Sequence, residues 1–341
     1  MSYEQYRPAG FKLLPPVVKN LLIINILFFI AKYVLGNAMN VDLDDMLGLH
    51  YFGAEKFKPY QIVSYMFMHG DITHILFNML ALWMFGYVLE NVWGPKRFLT
   101  YYILCGLGAA AVHYIIVYFQ VQPVLEAIEQ YKASPGLIQF KQFIDNQQVF
   151  QVASYDIQNH FNTFSVSYNG IIHNSDSLAQ TAQHFTLQAQ NISDSISMLH
   201  APADSLRAQV ANLNQMAQIA TQQSDSLQQA AVTFNTDFIN QYREDYLNAP
   251  VIIGASGAVF GILLAFGMMF PNTLVYVYFA IPMKAKWFVI LYGGLELVLG
   301  VSNRSGDNVA HFAHLGGMLV GFIILMIWKR NNRKKMFENR E

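Results

Sequence analysis

A serine and two histidines sit inside apolar stretches of this chain. The pentapeptide Gly254-Ala255-Ser256-Gly257-Ala258 opens one such stretch, and Ala313-His314-Leu315-Gly316-Gly317 lies in another, three residues after His311. A serine hydroxyl is a weak nucleophile until a neighbouring base takes its proton, and a neutral imidazole is suited to that task. His311 and His314 share nearly one helical face, so either could be that base. A third apolar stretch holds His74 and Asn78, four residues apart and hence on one helical face. Acyl transfer needs donors aimed at a developing oxyanion, and an imidazole and an amide both qualify. The Ser256 backbone N–H, unpaired if a helix starts there, is a third candidate. Plainer readings stand beside these: Gly257-x-x-x-Gly261 and Gly317-x-x-x-Gly321 are small-residue faces for close helix packing, and His74 and Asn78 could simply tie helices together.

Composition says what must carry these residues. Of 341 residues, 54% are hydrophobic and 13% charged, against about 25% charged in an average soluble domain. The chain is therefore expected to be a multi-pass membrane protein whose solvent is the lipid bilayer. A formal net charge of −1 gives no electrostatic footprint for nucleic acid. The single cysteine, Cys105, excludes an internal disulfide and reads as a packing residue. No metal site is indicated, since His-Glu-x-x-His is absent, and no cofactor is called for. The first apolar run follows Arg7, Lys12 and Lys19 and lacks a small-residue cleavage pattern, so it reads as a retained helix.

A span needs about 20 apolar residues. Six segments come close: 17–36, 73–92, 97–119, 253–270, 286–302 and 308–328. The run from Thr273 to Ile281 is too short to cross and is placed at the interface. The fold class is thus an all-α membrane protein, a six-transmembrane-helix bundle. Residues 1–120 hold helices 1–3 with an outer loop at 37–72, residues 249–328 hold helices 4–6, and 329–341 form a basic tail. Lys and Arg gather in the N-terminal tail, the Gly94-Pro95-Lys96-Arg97 turn, the Lys284/Lys286 loop and the tail, which places both termini in the cytoplasm. A bacterial inner membrane is the expected location. Spans 2, 4 and 6 then enter from the outer face. Their polar residues His74, Asn78, Ser256 and His314 fall roughly 5–12 Å below it at a rise of about 1.5 Å per residue.

Residues 121–248 differ from everything around them, with 20 of the chain's 23 glutamines and 4 Lys/Arg against 11 Asp/Glu. They are expected to form an inserted, mainly helical extracytoplasmic domain. Leu178, Ala182, Phe185, Ala189, Ile192, Ile196 and Leu199 follow heptad steps, as do Leu206, Val210, Leu213, Ala217, Ala220, Ser224, Leu227, Ala231, Phe234 and Phe238. An antiparallel hairpin through His200-Ala201-Pro202-Ala203, with Asp204 capping a second helix about 50 Å long, is the simplest reading. A third helix from 137–152 could complete it, and a Gln-rich linker is the alternative. Self-association or an extracytoplasmic partner is an expected use.

Together these residues resemble the rhomboid family of intramembrane serine proteases over all six spans. The carriers are His69-Gly70-Asp71-Ile72-Thr73-His74-Ile75-Leu76-Phe77-Asn78 with Trp83, Gly86, Glu90 and Gly94, then Gly254-Ala255-Ser256-Gly257, then Ala313-His314-x-x-Gly317-x-x-x-Gly321. The resemblance implies a Ser256/His314 dyad without a third carboxylate and an oxyanion hole from His74, Asn78 and the Ser256 N–H. It implies structural support from Gly254, Gly257, Phe260, Gly261, Gly317, Gly321 and Glu90. The substrates it implies are transmembrane proteins, cut within or beside a destabilised helix. Two positions depart from the family pattern. Tyr60-Gln61 stands where many members have Trp-Arg, and Phe260 replaces a tyrosine that stacks on the catalytic histidine. A catalytically silent chaperone or scaffold is the alternative, and a transporter is a weaker one, prompted by Glu296 in the fifth span. Glu296 itself reads as a structural carboxylate or part of a lateral entrance.

Overall fold

The computed structural model describes residues 12–147, 149, 154–198, 203–277, 281–302 and 310–338. The chain divides into two compact units, Gln122–Tyr246 and the remainder, close to the expected insertion boundaries.

The larger unit is a helical bundle. Helix α1 (Pro16–Met39) starts with proline, whose missing N–H costs nothing in a first turn. Its next two amides donate to one buried carboxylate, Val17 N–H and Val18 N–H reaching Glu90 at 2.9 and 2.8 Å. Glu90, expected as a support residue, thus caps α1 from α4 (Ile72–Trp93). Between them lie α2 (Leu43–Leu47), β1 (Leu49–His50), α3 (Gln61–Ser64) and a 3-10 turn (Tyr65–Phe67). Asp71 begins α4 by accepting from His74 N–H, the N-cap expected of it. Gly94, at φ +80°, turns the chain into α5 (Pro95–Ala133).

After the insertion, β2 (Val251–Ile252) pairs antiparallel with β1 and leads into α9 (Ser256–Met269). The short run after α9 holds β3 (Leu274–Val277), which pairs with β4 (Ile281–Lys284) in a hairpin, a use of backbone that the all-helical reading did not anticipate. Helices α10 (Ala285–Ser302) and α11 (His311–Glu338) complete the bundle, and α11 carries the expected basic tail onward as helix. Among the described residues, five helices are long and apolar enough to cross a membrane. The sixth expected span, α9, is a shorter apolar helix of 14 residues, ten of them buried, which makes it the central rod of the bundle. Outward faces are apolar instead of polar: Ile23, Leu27 and Ile30 on α1 and Leu297, Val298 and Val301 on α10 are among the exposed side chains. A surface of that kind is solvated by lipid tails.

Glycine sets the spacing at the centre. A Cβ on Gly317 of α11 would collide with the Gly257 carbonyl oxygen of α9, and one on Gly261 would lie 3.1 Å from the Gly317 oxygen. Cys105 packs against Gly261 and Gly321, the role expected of it, and the nearby Tyr101 hydroxyl donates to Gly261 O at 2.8 Å.

The smaller unit comprises the end of α5, α6 (Leu137–Gln147), α7 (Tyr155–Met198) and α8 (Asp204–Asn248), the last entering the larger unit in its final two residues. The third helix is present, ending at Gln147. Most of the tip, His200-Ala201-Pro202, lies outside the described residues. Pairing is antiparallel, since Phe164 meets Phe238, Ser175 meets Ser224, and His160 meets Asp245. Seam residues Ala182, Ala189, Ala217, Ala220, Ser224, Ala231 and Phe238 are buried. At 45 residues α8 spans about 68 Å, longer than the heptad pattern suggested. Asp204 is its first helical residue rather than a preceding cap. At the base of this unit the packing is aromatic: Phe140, Phe143, Phe164, Phe238 and Tyr242 belong to one buried cluster.

Candidate active site

Ser256 is the first residue of α9, so its backbone N–H belongs to the helix end that has no internal acceptor. Its hydroxyl lies 2.8 Å from His314 Nε2. The glycine contacts between α9 and α11 make this reach possible, because any Cβ at Gly317 would separate the two helices. His314 is buried, one turn into α11. Phe260 stacks on it at 4.2 Å between centroids and 6° between planes. Tyr292 and then Phe288 of α10 continue the column at 5.2 and 5.6 Å. The missing tyrosine hydroxyl is therefore not needed to hold the ring.

The other imidazole nitrogen contradicts an expectation. His314 Nδ1 lies 2.8 Å from Glu296 Oε2, and His311 Nδ1 lies 2.6 Å from the same oxygen. The dyad implied by resemblance thus has a carboxylate behind it. His311, the rival base, touches Glu296 and leaves Ser256 to His314. The signal was present in the sequence. Glu296 is six residues from the C-terminal end of α10, about 9 Å at helical rise, which is the depth expected for Ser256 and His314. Ligating atoms of Glu296, His311 and His314 lie within 4.8 Å of one another, close enough to hold a cation, yet each nitrogen already meets the carboxylate as a hydrogen bond.

His74 faces the same place from α4. Gly70 N–H donates to His74 Nδ1 at 3.3 Å, so in the neutral ring the proton sits on Nε2. That Nε2 is 2.8 Å from where a Cβ on Gly254 would stand, and Ser256 Oγ is 3.5 Å from the same point. Gly254 has φ +128°, which disfavours any other residue, and its N–H donates to Tyr65 O at 2.9 Å. The hollow beside the nucleophile therefore has a donor aimed across it. Asn78 is buried one turn below His74 on the same face.

The outer loop holds these parts in register. Besides the β1–β2 pair, buried Gln61 donates to Met46 O and Lys56 O and accepts from Lys58 N–H at 3.0 Å. The Tyr60-Gln61 departure thus turns one side chain inward to organise the loop, while Tyr60 is half exposed with its hydroxyl bonded to Met46 O. Sequence reasoning missed Lys32. Toward the C-terminal end of α1, its ammonium donates to His69 O at 3.0 Å and Gly70 O at 2.7 Å and pairs with Asp44 at 2.5 Å. It clamps the backbone that delivers His74. Burial pushes the Asp44 carboxyl up from its ordinary range, with Lys32 pulling the other way. Burial, reinforced by His74, lowers His69 to about 3.

The profile of the Rhomboid domain family matches residues 56–123 and 197–331. An uncharacterized mitochondrial rhomboid protein of Schizosaccharomyces pombe is 34% identical over 90 residues, 25% of this chain and 23% of that protein. Rhomboid-like protein 15 of Arabidopsis thaliana is 34% identical over 61 residues, 18% of this chain and 15% of its own. The chain thus aligns with less than a quarter of the length of either relative.

Proposed function

The chain belongs to the rhomboid family, and on that premise we propose that it is an intramembrane serine endopeptidase, cutting other membrane proteins within or beside a transmembrane helix. The observation that carries the reading is the 2.8 Å approach of Ser256 Oγ to His314 Nε2, beside a hollow that His74 faces. Ser256 Oγ attacks the scissile carbonyl carbon as its proton passes to His314 Nε2, and the carbonyl electron pair moves onto oxygen. His74 Nε2–H, the Asn78 amide and the Ser256 N–H surround that oxygen. Collapse breaks the carbon–nitrogen bond, and the Nε2 proton leaves with the amine. Water, activated by the same nitrogen, then hydrolyses the acyl-enzyme.

A helical substrate resists attack while its carbonyls are hydrogen-bonded, so substrates carry helix-destabilising residues near the cut. The site opens to the outer face. Both termini lie on the Lys/Arg-rich side, the cytoplasmic side of a bacterial inner membrane. The domain of residues 121–248 recruits substrates or an extracytoplasmic partner.

A fluorophosphonate probe tests the assignment without knowledge of the natural substrate. Peptide mass spectrometry is expected to find one adduct, on Ser256, lost in His314→Ala. An adduct-free wild type, or labelling unaffected by His314→Ala, rejects the reading.

A further inference from the structure

We propose that Glu296 is the positioning carboxylate of a Ser256–His314–Glu296 relay, itself held in place by His311. This rests on the proteolytic reading above and deepens it.

A carboxylate can only accept, so the 2.8 Å contact requires the proton of His314 to sit on Nδ1. The lone pair of the ring is then on Nε2, 2.8 Å from the Ser256 hydroxyl. Ring stacking by Phe260 fixes the imidazole plane but cannot choose between tautomers, whereas Glu296 chooses. The same contact stabilises the imidazolium formed when Ser256 gives up its proton, without the Nδ1 proton ever leaving the ring. Throughout the cycle only the Nε2 site gains and loses a proton.

Glu296 is 5% exposed, on a helix whose other flank faces lipid. A buried carboxylate is costly unless hydrogen-bonded, and two imidazoles supply the donors. His311 donates to the same Oε2 at 2.6 Å, which fixes the oxygen that His314 uses. The three residues come from α10 and α11, so the helix pair that carries the base also carries its orienting group.

The test is steady-state cleavage of a helix-destabilised transmembrane substrate by wild type, Glu296→Gln, Glu296→Ala, His311→Ala and Ser256→Ala, with thermal unfolding of each. Glu296→Gln keeps the volume and an acceptor, so it guards against a folding defect in the alanine variant. Both Glu296 variants are expected to lower kcat on the order of 10²–10⁴-fold with KM within about threefold, as for loss of an orienting carboxylate. His311→Ala is expected to fall between them and wild type. In folded wild type, proton NMR should show two far-downfield imidazole N–H signals, from His314 and His311, both lost in Glu296→Gln and one of them lost in His314→Ala. A folded Glu296→Gln with kcat within threefold of wild type overturns the relay, and so does a wild-type spectrum without those signals. Equal cleavage by Ser256→Ala instead overturns the proteolytic reading itself, so the two failures are distinguishable.

Discussion

His74 Nε2 stands 2.8 Å from the point where a side chain on Gly254 would begin. In the proposed mechanism the substrate oxygen takes this space. Gly254→Ala fills that space and strains a backbone at φ +128°. Its kcat is expected to drop at least ~100-fold, while fluorescence and thermal unfolding report a folded bundle. Wild-type kcat in a folded Gly254→Ala would remove the hollow from the mechanism.

Donors to the oxyanion should act in the chemical step. His74→Ala and Asn78→Ala are each expected to lower kcat ~10²–10³-fold and to leave KM nearly unchanged. Lys32→Met disturbs His74 only through the backbone carbonyls of His69 and Gly70, so a smaller loss of ~10-fold is expected. A KM effect without a kcat effect in the His74 or Asn78 variant would make that residue a substrate contact instead.

Much of this site was legible because hydropathy and the positive-inside rule assign depth. His74, Asn78, Ser256 and His314 share one layer by that count, and the structure brings Ser256, His314 and His74 together. Glu296 was read as a structural carboxylate or part of a lateral entrance because its distance from the end of its own span was not compared with that of Ser256 and His314. Lys32 was invisible, since a lysine near a helix end ordinarily reaches toward water, and nothing in the sequence names backbone carbonyls as its target. The aromatic base of the insertion was missed for a related reason. The steps of four and three run back from Leu178 through Ser175, Ile171, Tyr168, Phe164 and Phe161, where one serine hid the continuation, and nothing on α7 indicates that Phe164 and Tyr168 meet Phe140 of α6.

Helix spacing at the active site depends on one glycine more than any other. Gly317→Ala places a methyl against the Gly257 carbonyl and is expected to cost ~1–3 kcal/mol while separating Ser256 from His314. Gly294→Ala on α10 meets open space, with nothing within 4 Å, and should be neutral or slightly stabilising. Thermal unfolding in detergent, paired with probe labelling, checks both. Equal behaviour of the two variants would refute close α9–α11 packing.

His69 gives stability a defined pH dependence. Its imidazole titrates near 6.5 when unfolded and at about 3 when folded, because burial opposes the charged form. Between those values the unfolded chain binds a proton that the folded protein refuses. The contribution is complete above about pH 6.5 and is lost as pH falls toward 3, at up to about 1.4 kcal/mol per pH unit. His69→Phe should flatten this limb, so the stability of wild type relative to the variant is expected to fall with pH in that window and to be constant outside it. A constant difference throughout would show that His69 is not the group responsible.

The Ser256–His314 pair is tested most directly by reconstituting the protein in liposomes with a helix-destabilised transmembrane substrate and locating cleavage by mass spectrometry. Wild type is expected to produce a single cut within or beside the substrate helix, and Ser256→Ala and His314→Ala none above background. Cleavage by either variant at the wild-type rate would contradict the assignment of nucleophile and base.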